Sequence, residues 1–221
     1  MRVVWHETGT KTYETGTDRG VLYLQNDKGE YPNGVAWQGL TGVSENPSGA
    51  EPNARYADNV KYVNLMSAEE FAATIEAFTY PDEFGVCDGS AEIVKGVMIG
   101  QQNRKAFGMS YRTKLGNDVD GDDYGYKIHL IYNALAAPSD KSYQTINDSP
   151  EAMILSWDVS TTPVPVTGFK PTASLIIDST KVSDEGLKLI ENILYGTEDE
   201  DARLPLPDEL ISLLTDTEAE G

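Results

Sequence analysis

Asp118, Asp120 and Asp122 alternate along Asn117-Asp118-Val119-Asp120-Gly121-Asp122-Asp123, the spacing at which positions one, three and five of a calcium loop converge on a hard cation. The match fails where such a loop needs its sharp turn and its bidentate ligand, because Asp123 replaces the glycine at six and His129 falls at twelve. A solvated acidic turn before a strand is the stronger reading. His6 and His129 are the only imidazoles, and neither is spaced with carboxylates or a nucleophile as a metal triad or proton relay requires. Cys87 stands alone, without a CxxC partner, and reads as a small semi-buried residue in a turn. Gly121 and Gly125 form no phosphate loop. The expectation is a non-enzyme with no catalytic residues, no cofactor and no metal.

The elements that would position any site are short and numerous. Val21 to Leu24 reads as a strand and Asn26 to Gly29 as a turn, with Gly34 to Val43 a second strand weakened by glycine. Ser44 to Ala54, with Pro47, Gly49 and Pro52, reads as a long exposed loop without regular structure. Alternation resumes over Asn59 to Leu65, and Phe71 to Tyr80 is assigned to strand because Thr74, Ile75, Phe78, Thr79 and Tyr80 outweigh its alanines. Ser90 to Gly100 reads as a short helix or turn opened by Ser90. Ala106 to Thr113, Gly125 to Ala136 and Ala152 to Ser160 are further strands, the last two joined through the polar segment Ala137 to Glu151. Ser174 to Asp178 reads as a buried strand, and Ser183 caps a helix that Gly196 ends. Asp208 is placed as the cap of a short amphipathic piece reaching Leu214.

These elements predict an N-terminal arm over 1–19, one β-rich domain over 20–196 and an acidic C-terminal arm over 197–221. The chain has 221 residues at 39% apolar content, enough for one core, and its twelve tyrosines, twenty glycines and eleven prolines favour strands joined by turns. Seventeen basic against thirty-six acidic side chains give a formal charge of −19, which argues against gripping phosphates but not against letting DNA pass. The N-terminus lacks the apolar core of a signal peptide, and no run is long enough for a membrane span, so a soluble protein made in a cytoplasm is expected.

Arg55-Tyr56-Ala57-Asp58-Asn59-Val60-Lys61-Tyr62-Val63-Asn64-Leu65, with the strand Phe71 to Tyr80 and the corner Pro81-Asp82-Glu83-Phe84-Gly85, resembles the major tail (tail tube) proteins of long-tailed, siphovirus-type bacteriophages. Trp37-Gln38-Gly39-Leu40-Thr41-Gly42-Val43 before a Pro-rich loop, Asp123-Tyr124-Gly125-Tyr126-Lys127-Ile128-His129-Leu130, and the late helix to Leu194-Tyr195-Gly196-Thr197 follow in the same order. The resemblance implies a mainly β fold, a β-sandwich with one flanking α-helix whose sheets join those of sister copies into a β-barrel lumen. It implies a structural virion protein of the tail, self-assembling in the host bacterial cytoplasm into hexameric rings that stack as a conduit for DNA ejection. Its implied partners are further copies of itself, the tape measure, baseplate and tail terminator proteins, and double-stranded DNA that passes without specific binding.

In that family a long loop between early strands makes contacts between rings, which here corresponds to Ser44, Glu45, Asn46, Pro47, Glu51, Pro52, Arg55, Tyr56 and Asp58, together with the terminal arms. Strand alternation adds the bore: Ser156, Asp158 and Ser160, with Glu76, are the polar partners of apolar positions and are nominated to face the lumen. Two other functions compete. One is a monomeric β-sandwich that binds carbohydrate or a cell surface through Trp5, Trp37 or exposed tyrosines, and the other is a metal-assisted hydrolase built on Asp118 to Asp123.

Overall fold

The structure, a computed structural model, describes residues 2–146 and 148–220, with side chains through 217. Met1 and Gly221, the outer ends of the two expected arms, and Asn147 in the expected 137–151 connection lie outside the described residues.

The chain is mainly β, with fourteen strands and two helices among the described residues. In order these are β1 (Tyr13–Leu24), β2 (Gly34–Ala36), β3 (Leu40–Glu45), β4 (Ser48–Gly49), β5 (Pro52–Ala57), β6 (Val60–Met66), β7 (Glu69–Glu70) and β8 (Ala72–Ala77). A 3-10 turn (Asp82–Val86) leads to β9 (Ala91–Val94), β10 (Val97–Ile99), β11 (Phe107–Asn117), β12 (Gly121–Ala136), β13 (Leu155–Thr161) and β14 (Ser174–Asp178), then α1 (Asp184–Tyr195) and α2 (Pro207–Glu220). The main sheet is antiparallel in the order β2-β1-β11-β12-β13-β8-β3, with β14 also on β12. β2 and β3 are open edges, and the sheet does not close into a barrel.

Both faces of the central strands are apolar, so the sheet carries two cores. On β1, Leu22 joins Trp37, Ile75, Phe84, Phe107, Ile131 and Trp157 in the first core, while Val21 and Tyr23 turn to the second. The second core sits between the sheet and the helices: Ile128, Leu130 and Tyr132 of β12 meet Ile190 and Leu194 of α1 and Leu210 of α2. Tyr23 and Tyr132 are buried there with their hydroxyls paired, Tyr23 donating to the Leu194 carbonyl at 2.7 Å and Tyr132 to the Pro205 carbonyl at 3.0 Å. α1 begins where expected, the Ser183 Oγ accepting the Gly186 N–H at 3.2 Å, and ends at Gly196 with φ of +77°.

Several expectations are corrected. Two helices flank the sheet rather than one, because α2 runs on from Pro207 well beyond Leu214 and buries Leu210. Asp208 does not cap it; its carboxylate accepts the Thr167 N–H and Oγ1 at 2.8 and 2.7 Å. The strand expected at Val21 extends back to Tyr13, so 13–19 belongs to the sheet and not to an arm. Polar contacts hold that half: Arg112 pairs bidentately with Asp18 at 2.7 and 2.8 Å, and Lys127 with Glu14 at 2.6 Å. Gly34 to Val43 is broken in two, with Gly39 at φ +76° turning the chain as Trp37 enters the first core. Ser90 to Gly100 is the hairpin β9–β10 and not a helix, turning through Lys95 and Gly96. β14 is only half buried, since Ile176 faces solvent while Ile177 enters the second core.

Candidate functional site

The register of β13, β8 and β3 decides which side chains share a face. Ser156 lies opposite Glu76, Asp158 opposite Thr74 and Ser160 opposite Ala72, while Trp157 opposite Ile75 points to the first core. On the other side of β8, Gly42 lies opposite Glu76 and Ser44 opposite Thr74. The four residues nominated for a lumen therefore do share one face, and Ser44 joins them. A hydrogen-bond chain runs across it: Asn46 Nδ2 donates to Thr74 Oγ1 at 3.1 Å, and Thr74 Oγ1 donates to Asp158 Oδ1 at 2.7 Å. These positions are small or acidic, and none is Lys or Arg. The same side of the sheet is covered by α1 and α2 over β1, β11 and β12, and is bare over β13, β8 and β3.

The nine loop residues divide between two kinds of backbone. Ser44 and Glu45 end β3, Asn46 and Pro47 bridge to β4, and Glu51 precedes β5. The expected irregular loop is corrected here: Pro52, Arg55 and Tyr56 belong to β5, which pairs with β6 as a projecting two-stranded hairpin turned by Asp58 and Asn59, both at positive φ. Every residue of β6 is exposed, and Tyr56, Tyr62, Leu65 and Met66 present large apolar surfaces to solvent. A two-stranded ribbon alone is marginal in water, so such a hairpin asks for a surface to lie against.

Glu45 does more than end a strand. Its Oε1 accepts the Tyr111 hydroxyl at 2.7 Å and lies 3.3 Å from His129 Nδ1, while His129 Nε2 lies 3.0 Å from Thr113 Oγ1 and 3.5 Å from Glu14 Oε1. The imidazole stacks on Tyr111, ring centres 4.7 Å apart. This cluster ties edge strand β3 to β11, β12 and β1 across the mouth of the first core. The hydrogen bond from His129 holds the Glu45 carboxyl below its ordinary range against partial burial, with Tyr111 adding to the effect. Burial and the bond to Glu45 push the Tyr111 hydroxyl far up. Sequence spacing missed this set, because Glu14, Glu45, Tyr111 and His129 come from four strands: Tyr111 and His129 are cross-strand partners and Glu14 is on the neighbouring β1, whereas Glu45 reaches them from the far edge of the sheet. His129 itself is buried.

The remaining chemical candidates are occupied by the chain itself. Asp118 Oδ1 accepts the Gly9 and Lys11 N–H groups at 3.0 and 3.3 Å, Asp122 accepts the Tyr13 hydroxyl at 2.7 Å, and Asn117 Nδ2 donates to Asp120 at 2.9 Å. The acidic turn thus fastens the N-terminal segment. Among the described residues no group of three or more His, Cys, Asp and Glu is arranged to hold a metal. Cys87 is fully buried rather than semi-buried, and burial pushes its thiol up to about 12. Trp37 is a core residue whose Nε1 donates to the Thr79 carbonyl at 2.9 Å, so it offers no platform to a sugar, whereas Trp5 is exposed. No helix among the described residues is long and apolar enough to cross a membrane.

No protein-family model and no curated protein matches the chain.

Proposed function

We propose that this chain is a structural subunit that joins five further copies in a ring, the rings stacking into a tube of the long-tailed phage type through which double-stranded DNA passes. The observation that carries the reading is the bare face of β3, β8 and β13, where Ser44, Glu76, Ser156, Asp158 and Ser160 stand together without a basic side chain. A channel wall for DNA must hold water and must not neutralise phosphates, and carboxylates repel the backbone within about 8 Å at physiological salt. β3, β8, β13 and the end of β12 give four strands per copy, and six copies at about 4.8 Å per strand close a circle about 37 Å across, wide enough for a hydrated duplex. The open edge β3 of this wall has backbone groups for a neighbour to pair, which supports its joining to a sister copy. On this reading the tape measure, baseplate and tail terminator proteins meet the ends of the stack, and the hairpin β5–β6 with the terminal segments lies between rings.

Negative-stain electron microscopy of the purified chain at rising concentration tests the reading. Hollow six-fold rings and stacks are expected. A chain that sediments as a monomer at every concentration overturns it.

A further inference from the structure

The hairpin β9–β10 is, like β5–β6, an apolar protrusion. Within nine residues Ile93, Val94, Val97, Met98 and Ile99 are all exposed, and its only charges, Glu92 and Lys95, cancel. Its shape is fixed rather than loose. The Glu92 carboxylate accepts the Gly96 N–H at 2.6 Å across the tip, and Ser90 and Gln102 close its base through the Gly85 and Gly89 carbonyls at 2.9 Å. Arg104 holds the return strand to the sheet, donating to the Ala136 carbonyl at 3.2 Å. An exposed apolar ribbon built this firmly has the form of a knob.

A groove of complementary character lies elsewhere on the surface. Met66, Phe71, Pro163, Phe169 and Pro171 line a mostly apolar concavity of ≈ 990 Å³, with Glu69 and Lys170 as its charged members. It opens where β8 begins and β13 ends, whereas the chain reaches the hairpin from the opposite end of β8, through the turn at Asp82–Val86. No residue of β9 or β10 lines the groove, so the two are not partners within one molecule.

We infer that the β9–β10 hairpin of one copy seats in the Met66–Phe71–Phe169 groove of a second copy of this chain, giving a head-to-tail contact with one polarity. Charge selects this occupant. The chain carries −19, so copies repel over most of their surfaces, and knob and groove are each locally neutral with one acid and one base that cross-pair, Lys95 with Glu69 and Glu92 with Lys170. A knob and a hole at different places on one molecule make a heterologous contact, which repeats into a ring or a filament and does not stop at a dimer. The inference deepens the tube reading and rests on it for the identity of the partner.

Cysteine cross-linking tests the contact, since buried Cys87 stays silent in the fold. Under mild oxidation at concentrations where the full chain self-associates, V97C mixed with F169C is expected to give a cross-linked dimer at least tenfold above either variant alone. The double variant is expected to give a ladder. Met98→Asp, at an exposed position, should weaken association at least tenfold without shifting the melting temperature. Assemblies visible by microscopy that give no mixed cross-link overturn the contact and leave the tube standing, as do V97C homodimers alone or association unaffected by Met98→Asp. A ladder from filaments that lack a six-fold ring upholds the contact and overturns the ring. A persistent monomer overturns both.

Discussion

Trp157→Ala tests whether β13 is held as described. The indole is fully buried at the centre of the first core, its ring centre 5.2 Å from Phe84, 5.4 Å from Tyr80 and 5.8 Å from Trp37. Its Nε1 donates to Asp88 Oδ1 at 3.1 Å. Truncation does not orphan that carboxylate, because Lys141 and Arg104 remain beside it, so the loss is dominated by transfer and cavity. That loss is about 3–5 kcal/mol, a large fraction of the roughly 5–15 kcal/mol by which a domain is stable. At about 2–4 °C per kcal/mol for a chain of this size, melting should fall by about 6–20 °C in a thermal scan followed by circular dichroism. Trp157→Phe keeps most of the packing and loses the Nε1 bond, so it should fall between the variant and the parent. A shift below about 3 °C for the alanine variant, or equal shifts for alanine and phenylalanine, refutes the account of this core.

Acid should destabilise the fold in a defined window. The hydrogen bond from Arg112 holds the Asp18 carboxyl below its ordinary range against burial, and His129 does the same for Glu45; stability from a depressed carboxylate is fully present above the unfolded value near ~4 and lost as pH falls through the folded one. Melting temperature should therefore drop between about pH 5 and pH 2, with a shallower drop in Asp18→Asn. Ser183→Ala should remove about 1 kcal/mol, or about 2–4 °C of melting temperature, and Ser183→Gly only a few tenths of a kcal/mol. Glu76→Lys with Asp158→Lys should make assembled particles co-sediment with DNA at low salt and release it as salt rises, whereas the parent does not retain it; equal retention argues that this face does not line the channel. Assembly of the parent should strengthen as ionic strength rises from 0.01 to 0.15 M, measured by sedimentation velocity, as the Debye length shortens from about 30 to about 8 Å.

Legibility in the sequence tracked the range of the interactions. α1 was readable because its cap, its apolar spacing and its terminating Gly196 are all local. β13 was readable because one face is core and the other is water, so alternation survives from Leu155 to Ser160. β12 showed its second-core face, but Ile131, Ala134 and Ala136 on the reverse reveal a strand buried on both sides, which alternation does not report. Tyr13 to Arg19 hid because ion pairs to β11 and β12, not apolar burial, hold it in the sheet. Alternation showed β6, but its partner β5 and the β9–β10 hairpin hid for the opposite reason. Their apolar residues face solvent in the single chain, so the usual link between apolar character and burial gives no guide to their conformation.

On the tube reading proposed above, the two hairpins are where a chain this acidic meets copies of itself. Pro52 to Met66 holds Arg55 and Lys61 against Asp58, a net +1, and Ala91 to Ile99 holds Lys95 against Glu92, a net 0. These 24 residues carry +1, which leaves −20 on the other 197. Charge is thus withdrawn from protrusions that also expose many apolar side chains, while acids stand on the bare face of β8 and β13 and in the segment after Gly196. Burying an apolar ribbon against a like-charged body gains only what repulsion leaves over, so contacts form where local charge is lowest and are excluded where it is highest. In the proposed assembly, carboxylates on the open face oppose collapse of that face onto a neighbour, and the hairpins of low net charge set where copies touch. On that reading the same segregation restricts the ways in which copies stack.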